Sequence, residues 1–510
     1  MYFIVFTSLT LLTLPGVLLK LTTDPAMSIA GMKYLVDMEG LFINELTHYT
    51  KELKDKIDTI ESFLHDVQSK REISRKNPEE FVAHPLNGFS LIRRLHEDWT
   101  HIELFMAQGV GQESLKAIQK GLEEGRPTDQ DLDDAIAGIR AMCRFYNLQP
   151  DDIARGIFLG QEYNASLTAL NCLSLAKACI NYEEGNDAIN WYKTAVSQYD
   201  DDRDGQVYRD VFDFKLPDLY ENYVSTLVST GYRQAALSVI RDVSDLDATL
   251  WLLHKKVYDD AKIDIADPTF LGKPWVVGSR CQGKWDTKKY FSCHYESKTT
   301  DFLRLAPLKV EVLSLDPHIA IYHGVIYDSE ISRVKNGSLA SLKSPPRYIN
   351  GDDYNLKFSR VIEDHNSTLN QRVKDITGEE VREDSDFVIY NYGIGGHRNI
   401  HMDNLQAIDQ MAELGDRLTS VMFFLSEVNQ GGAIVFPYAN LTVWPQKGSA
   451  LVWRNLNFKM QSNEGLVHLS CPVVVGSKWT LIKWLHERPQ MFSRPCEKEY
   501  SGLQTHEKMI

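Results

Sequence analysis

The chain has 510 residues, of which 43% are hydrophobic and 25% are charged. This is an ordinary globular composition, and the length allows about three domains. Lys and Arg total 55 against 70 Asp and Glu, which gives a net charge of −15 at pH 7. The acidic balance argues against a general nucleic-acid-binding protein.

The amino-terminal segment is apolar. Residues 4–19 form a run that Pro15 and Gly16 interrupt and that ends near Lys20, which is more typical of a secretory signal than of a spanning helix. A buried helix or an uncleaved anchor is the alternative, because no Lys or Arg precedes the run. The chain also contains four N-x-S/T sequons, which matter only in the secretory pathway. They are Asn164, Asn336, Asn366 and Asn440.

The chain has seven cysteines, so at least one is unpaired or pairs between chains. Cys281 with Cys293, and Cys471 with Cys496, are neighbours in the sequence. Such pairs would close short loops in an oxidising compartment. Buried free thiols are the alternative.

A long amphipathic helix is predicted over residues 35–67, where apolar residues recur in steps of three and four. The stripe is narrow and continues for more than three heptads, which predicts a coiled-coil seam and self-association of the chain. The alternative is a helical hairpin within the chain, in which residues 89–106 form the second helix.

Further helices are predicted between residues 127 and 255. The segments 173–196 and 220–243 resemble tetratricopeptide-type helix pairs. Tyr220 and Tyr223 lie three residues apart on one helix, where both can line a groove for an extended peptide. Alternatively, these tyrosines belong to the core.

Beyond residue 268 the composition becomes rich in Gly, Pro, Trp and Cys. Short apolar runs separated by turns follow, among them 387–390, 421–425 and 450–453. This spacing predicts a β-sandwich or jelly roll.

A candidate metal site begins with the H-x-D pair His401 and Asp403, because residues two apart in a strand share a face. Two His and one carboxylate form the facial triad of non-haem Fe(II) enzymes. His468, in a strand-like run where a neighbouring strand could return to the pair, is the predicted third ligand.

Two lysines follow in a further predicted strand. Lys478 would enter the interior of the jelly roll, where it needs an anion such as the far carboxylate of a dicarboxylic co-substrate. Lys483 would lie on the opposite face and is predicted to be solvated.

These residues resemble the motifs of a known family, the catalytic (alpha) subunit of collagen prolyl 4-hydroxylase. The motifs are Tyr392-Gly393-x-Gly395-Gly396, His401-x-Asp403, Arg417, His468, Gly476-x-Lys478-Trp479 and Lys483-Trp484-Leu485-His486. The resemblance extends over nearly the whole chain, since residues 78–85 are similar to the amino-terminal domain of that family.

The resemblance implies a double-stranded β-helix in which His401, Asp403 and His468 hold Fe(II). It further implies that Lys478 and Tyr392 bind 2-oxoglutarate. Arg417 and Trp484 match positions near the substrate, although structural roles are an equal alternative for both. The cofactors implied are Fe(II), 2-oxoglutarate, O2 and L-ascorbate.

The implied reaction is hydroxylation of peptidyl proline at C4 in collagen-like or other Pro-rich secreted proteins, coupled to oxidative decarboxylation of 2-oxoglutarate. The implied assembly joins two such subunits to two copies of protein disulfide isomerase in the lumen of the endoplasmic reticulum. This chain ends without a retention tetrapeptide, so the partner would supply retention.

The predicted layout has a signal peptide (1–20), a helical dimerisation domain (21–140) and a helical peptide-substrate-binding domain (141–255). A linker region (256–315) and the dioxygenase domain (316–510) follow.

Two features differ from the family pattern. Arg398-Asn399-Ile400 stand where members have Tyr-Glu-Pro, and the groove lacks a Tyr expected near Ile180. The alternatives are therefore a hydroxylase with a non-collagen substrate and a non-catalytic subunit or peptide-binding scaffold.

Overall fold

The computed structural model describes residues 24–243, 278–283, 292–345, 353–363, 367–382, 386–405, 413–457 and 460–493. The described residues form two compact units. The helical unit is residues 32–128, and the sheet unit is residues 24–31 with 129–493. The predicted signal peptide and Cys496 lie outside the described residues. None of the described helices is long and apolar enough to cross a membrane.

The helical unit is organised along one helix, α1 (Ile29–Lys76), whose first residues belong to the sheet unit. Shorter helices follow it. They are α2 (Pro78–Ala83), α3 (Pro85–Arg93), α4 (Trp99–Ala107) and α5 (Gln112–Gly125).

The long helix packs on later helices of its own chain. Lys56 Nζ donates to the carbonyl of Met106 over 2.9 Å, and the rings of Phe63 and Trp99 meet edge to face at 5.5 Å. These contacts match the hairpin alternative. Pairing of α1 with a second copy of the chain stays a prediction.

The sheet unit begins with seven helices. They are α6 (Asp129–Tyr146), α7 (Pro150–Ala154), α8 (Ala169–Asn181), α9 (Gly185–Gln198), α10 (Asp201–Asp210), α11 (Leu216–Ser229) and α12 (Arg233–Val243). The pairs α8–α9 and α11–α12 are the two predicted helix pairs, and the second turns at Gly231, whose φ is 93°. Trp191 and Tyr192 of α9 lie in the core between these helices.

The rest of the sheet unit is a curled antiparallel sheet with a few helices, so the predicted jelly-roll class is confirmed. Two strands, β1 (Ile157–Phe158) and β2 (Gln161–Glu162), form a hairpin between helices. The others are β3 (Ser292–Glu296), β4 (Leu308–Leu315), β5 (His318–His323), β6 (Asp353–Val361), β7 (Phe387–His401), β8 (Arg417–Phe424), β9 (Val428–Gly431), β10 (Ile434–Phe436), β11 (Leu441–Val443), β12 (Ala450–Arg454), β13 (His468–Ser470), β14 (Val473–Gly476) and β15 (Trp479–His486).

The strand order of the main sheet is β11-β10-β13-β7-β15-β8-β12-β5-β4-β3, and β6 also pairs with β7. Two of these strands, β3 and β4, begin the sheet inside the segment 256–315 that was predicted as a linker. The predicted domain limits stay predictions.

The two faces of the sheet have different coverings. Helices α14 (Asp328–Ser338) and α15 (Thr368–Thr377) pack on one face. The opposite, inner face carries Phe424, Phe436 and Trp453. The side chains of β15 alternate between the two faces. Leu481 lies in the apolar cluster under the helices, and Ile482 lies in the cluster on the inner face.

The prediction that Lys483 is solvated is wrong. The side chain is only 1% exposed, and its Nζ lies 4.7 Å from the centroid of the Phe387 ring. The face was assigned correctly, but α14 and α15 cover that face of the sheet. A lysine on it is therefore buried.

Both predicted disulfides are also wrong. Cys281 pairs with Cys471, 190 residues away, with 5.7 Å between the Cα atoms. The short helix α13 (Gly278–Cys281) packs beside α6 and β10, so Cys281 shares an apolar cluster with Phe145 and Leu469. Cys293 is a free, exposed thiol. Spatial packing, and not closeness in sequence, decides this pairing.

Candidate active site

The three predicted metal ligands come together at the inner face of the sheet. β13 runs antiparallel to β7, and His468 stands opposite His401 in the register. Asp403 follows two residues after β7 ends. The Nε2 atoms of His401 and His468 lie 3.7 and 3.9 Å from Asp403 Oδ1, and one ligand atom from each residue lies within 4.8 Å of the others.

Backbone carbonyls fix the tautomer of both imidazoles. Nδ1 of His401 lies 2.7 Å from the carbonyl of Asn399, and Nδ1 of His468 lies 2.9 Å from that of Leu466. A carbonyl can only accept, so Nδ1 is the protonated nitrogen in each ring and Nε2 carries the lone pair. Both lone pairs are therefore available to a metal.

The electrostatics of the cluster favour its metal-binding protonation state. Burial lowers the pKa of His401 and of His468, so both imidazoles are neutral at neutral pH. Burial opposes ionisation of Asp403, but His468, His401 and other neighbours hold the pKa of that carboxyl below its usual range. The site thus presents two neutral imidazoles and one carboxylate.

The residues fit Fe(II). Nε2 of His401 is buried and has no hydrogen-bond partner among the described residues, although buried polar atoms are normally satisfied. Two imidazole nitrogens and one carboxylate oxygen are the donor set of the facial triad, which suits Fe(II). An ion at this place would complete the coordination of an otherwise orphaned nitrogen.

A second layer of hydrogen bonds orients the carboxylate of Asp403. Its Oδ2 accepts from Ser420 Oγ over 2.7 Å and from Trp484 Nε1 over 2.9 Å. Asn455 in turn donates to Ser420 Oγ over 2.9 Å. Because Oδ2 is held by these two donors, Oδ1 is the oxygen that faces the two histidines. Such outer partners commonly tune metal affinity.

Arg417 and Trp484, predicted near the substrate, both contact Asp403. Arg417 Nη1 donates to the main-chain carbonyl of Asp403 over 3.1 Å, and its guanidinium lies 3.9 Å from the centre of the Trp484 ring. These contacts give both residues a part in positioning a ligand. Their contact with substrate stays a prediction.

Lys478 is fully buried beside the strand that carries His468. Its Nζ donates to Ser470 Oγ over 2.5 Å and to the Gly432 carbonyl over 2.7 Å, and it lies 4.6 Å from the centre of the Tyr392 ring. Burial lowers the pKa of Lys478 to about 7. Both hydrogen-bond partners are neutral, so the described part of the chain supplies no counter-ion here. A ligand carboxylate would supply one.

Arg398, which departs from the family pattern, also lies near the cluster. Its guanidinium is 5.5 Å from the centre of the Tyr390 ring. After burial, its charge is the largest cause that lowers the pKa of His401. The departure therefore places a cation at the edge of the site.

The predicted groove tyrosines lie on α11, away from the metal cluster in sequence. Both are partly buried. Tyr223 stacks on Tyr192 with 6.2 Å between ring centres and packs against two apolar clusters. This packing agrees with the core alternative for Tyr223, and a role in peptide binding stays a prediction for both residues.

Sequence reasoning missed Ser420 and Asn455. The one available signal was weak: a serine in the middle of the apolar strand β8. A polar residue buried in such a run needs a partner, but the sequence does not say which one.

Comparison with known proteins identifies two regions of the chain. Residues 28–160 match the family model described as the prolyl 4-hydroxylase alpha-subunit, N-terminal region. Residues 387–486, which include the three metal-site residues and Lys478, match the 2OG-Fe(II) oxygenase superfamily.

Full-length relatives cover almost the whole chain. Prolyl 4-hydroxylase subunit alpha-1 of Homo sapiens is 29% identical over 92% of this chain and 95% of its own length. Subunit alpha-2 of Gallus gallus is 27% identical over 92% and 94%. Among solved structures, the viral collagen prolyl hydroxylase of Paramecium Bursaria Chlorella virus-1 covers 32% of this chain and 94% of its own, at 16% identity and a TM-score of 0.27. Through these two matching regions and these relatives, the chain is similar to prolyl 4-hydroxylase alpha subunits over almost its whole length.

Proposed function

We propose that this chain is the catalytic subunit of a prolyl 4-hydroxylase that acts at C4 of peptidyl proline in collagen-like or other Pro-rich secreted proteins. One observation carries the proposal: His401, Asp403 and His468 converge with an orphaned Nε2, beside a strand that contacts the buried Lys478. A scaffold without catalysis would have no need for this arrangement.

Each residue has a defined part in this proposal. His401, Asp403 and His468 would hold Fe(II), and Ser420 and Trp484 keep Oδ1 of Asp403 turned towards it. Lys478 would pair with the far carboxylate of 2-oxoglutarate, with Tyr392 against it. When bound, Fe(II) with 2-oxoglutarate and O2 supplies the oxidation that gives succinate, CO2 and hydroxyproline; L-ascorbate maintains the iron as Fe(II) in this family.

The environment of Lys478 suits an anionic ligand. Its ammonium group has neutral partners only, and burial disfavours its charge. A carboxylate that reaches Nζ would restore the preference for the charged form. A neutral Lys478 costs little free energy in the ligand-free protein. Binding of the co-substrate then adds a charge-assisted hydrogen bond.

We infer further that the helices α8–α12 bind the peptide substrate, with Tyr220 and Tyr223 in the groove. Paired helices with aromatic side chains suit an extended Pro-rich peptide. Both tyrosines keep part of their surface accessible. A truncation of Tyr220 should therefore raise the KM for peptide and leave the affinity for 2-oxoglutarate unchanged.

Two features support the proposed assembly and location. Residues 32–128, all of which are described, contain no buried apolar side chain, so this unit suits self-association in a two-plus-two complex with protein disulfide isomerase. The disulfide Cys281–Cys471 suits an oxidising compartment, which supports the lumen of the endoplasmic reticulum. The sequons Asn164 and Asn440 are exposed and are candidate glycosylation sites there.

The test is turnover by the full chain, alone and with protein disulfide isomerase. With Fe(II), 2-oxoglutarate, ascorbate and a Pro-rich peptide, we expect succinate and hydroxyproline in equal amounts. His401→Ala and Lys478→Ala should abolish both products, while His323→Ala, which changes a histidine outside the metal cluster, should not. A chain that binds Fe(II) and peptide but forms no succinate would instead be a scaffold.

A further inference from the structure

The segment that precedes the long helix is built into the sheet unit. Pro25, Ala26, Met27 and Ser28 are all buried. The side chain of Ala30 packs against the apolar core of the sheet. Residues 24–31 therefore belong structurally to the part of the protein that holds the metal cluster.

This segment lies directly on β7. A Cβ atom at Gly393 would stand 2.1 Å from the carbonyl oxygen of Ala26, so only glycine permits the approach. Close by, the Ala30 N–H donates to Asn391 Oδ1 over 3.0 Å. The first turn of α1 is thus joined to the strand by a specific hydrogen bond.

The same Asn391 side chain reaches Lys478. Its Nδ2 donates to the main-chain carbonyl of Lys478 over 3.3 Å, and the N–H of Tyr392 donates to that carbonyl over 3.2 Å. Asn391 is 0% exposed, so water has no access to the hydrogen bonds that its side chain forms with Ala30 and Lys478. One amide connects the start of α1 to the backbone of the co-substrate lysine.

The orientation of the Asn391 amide is determined by its partners. The Ala30 N–H can only donate and the Lys478 carbonyl can only accept. Turning the amide over would set two donors against each other at one end and two acceptors at the other. The two hydrogen bonds therefore fix one orientation of the amide, and each bond supports the other.

We propose that Asn391 is a positioning residue, through which residues 24–31 hold the backbone of Lys478 in place and so raise the affinity for 2-oxoglutarate. The inference rests on the proposed function, since it takes Lys478 as the residue that pairs with the far carboxylate. It means that the helix leading into the helical unit also supports the co-substrate site.

The test is a double-mutant cycle in the full chain, with Fe(II) and without O2. Asn391→Ala removes the amide. Ala30→Pro removes the N–H, and proline is tolerated in the first turn of a helix. Ala30→Val keeps the N–H and controls for the larger side chain, since Ala30 packs against the core; it should leave the Kd for 2-oxoglutarate unchanged. Asn391→Ala and Ala30→Pro should each raise the Kd for 2-oxoglutarate by about fivefold, the effect of one hydrogen bond. The double variant should be no weaker than Asn391→Ala alone, because both changes break one connection.

Three further measurements separate positioning from general damage. The Kd for Fe(II) should not change in either variant. In turnover, the KM for 2-oxoglutarate should rise while the KM for peptide stays constant. As a matched control, Asn370→Ala removes a buried amide on α15 that donates to the Glu363 carbonyl, and it should leave the Kd for 2-oxoglutarate unchanged.

An unchanged Kd for 2-oxoglutarate in both single variants would overturn this inference while wild-type binding still supported the proposed function. Equal weakening by Asn370→Ala would also overturn it. Failure of the wild-type chain to bind 2-oxoglutarate would overturn both.

Discussion

The metal-binding face of the sheet unit buries polar and charged groups, whereas the helical unit leaves large apolar groups exposed. In the sheet unit, charged and polar side chains such as Asp403, His468 and Lys478 lie almost completely out of water. Residues 32–128 bury no apolar side chain, yet large apolar residues such as Phe89 and Ile92 are exposed there. The buried polar site of the sheet unit is suited to small charged ligands, and the exposed apolar surface of the helical unit is suited to a partner protein.

The comparison teaches that the two units should respond separately to mutation. Changes around the metal cluster should alter the binding of iron or 2-oxoglutarate without altering assembly. Changes on the exposed apolar residues of the helical unit should do the reverse. The following experiments test this division, beginning with the largest expected effect.

Loss of a metal ligand should have the largest effect. His468→Ala should weaken Fe(II) binding by more than about 100-fold, because removing a ligand costs more than removing one of its outer partners. Anaerobic titration of the purified chain with Fe(II) measures this. His323→Ala serves as the control, and retention of normal Fe(II) affinity by His468→Ala would remove His468 from the metal site.

The pH dependence of 2-oxoglutarate binding should be the next largest effect. In the free protein, burial lowers the pKa of Lys478 to about 7, whereas a bound carboxylate favours the protonated form. Lys478 is therefore charged below this pKa and neutral above it. The Kd for 2-oxoglutarate should be lowest below about pH 7 and should rise by up to about tenfold per pH unit above it.

Calorimetric titrations across this pH range provide the measurement. In Lys478→Ala the affinity should be weak at every pH and this rise should disappear. A Kd that is independent of pH in the wild-type chain would show that Lys478 does not change its charge when 2-oxoglutarate binds.

Loss of an outer partner of Asp403 should have a moderate effect. Ser420→Ala leaves Oδ2 with one donor instead of two, and it should weaken Fe(II) binding by about tenfold. Asn455→Ala should have a smaller effect, since Asn455 acts through Ser420. The control is Ser338→Ala, whose buried hydroxyl donates to the Lys335 carbonyl of its own helix. Equal Fe(II) affinities in all three variants would exclude a role for this network.

A charge on the helical unit should have the smallest effect on the metal site. Ile92 is 70% exposed on α3, so Ile92→Asp should not unfold the chain. It should reduce self-association, which sedimentation velocity measures, and leave the Kd for Fe(II) unchanged. Ser90→Asp adds the same charge at an exposed polar position of the same helix and should change neither. Unaltered assembly in Ile92→Asp would mean that this residue lies outside the interface.

The sequence allowed prediction of features that depend on periodicity within one element. Alternation from Lys478 into β15 put Lys478 on the inner face and Lys483 on the other. The three- and four-residue steps located α1, and the pair His401 and Asp403 pointed to a metal site. Each of these follows from the geometry of a single strand or helix.

The features that could not be predicted depend on contacts between distant elements. Lys483 is buried because helices cover its face, and Cys281 meets Cys471 because α13 packs beside β10. Ser420 contacts Asp403, and Asn391 contacts Lys478, because of the register between neighbouring strands. No pattern within one segment specifies these pairings.

The central claim is that the metal cluster of this chain hydroxylates peptidyl proline. The most direct measurement is mass spectrometry of a Pro-rich peptide after incubation with the full chain, Fe(II), 2-oxoglutarate, ascorbate and O2. The prediction is one added oxygen atom on proline, located at C4, and one succinate for each hydroxylated residue. Peptide that remains unmodified, although the chain has bound both Fe(II) and 2-oxoglutarate, would contradict the claim.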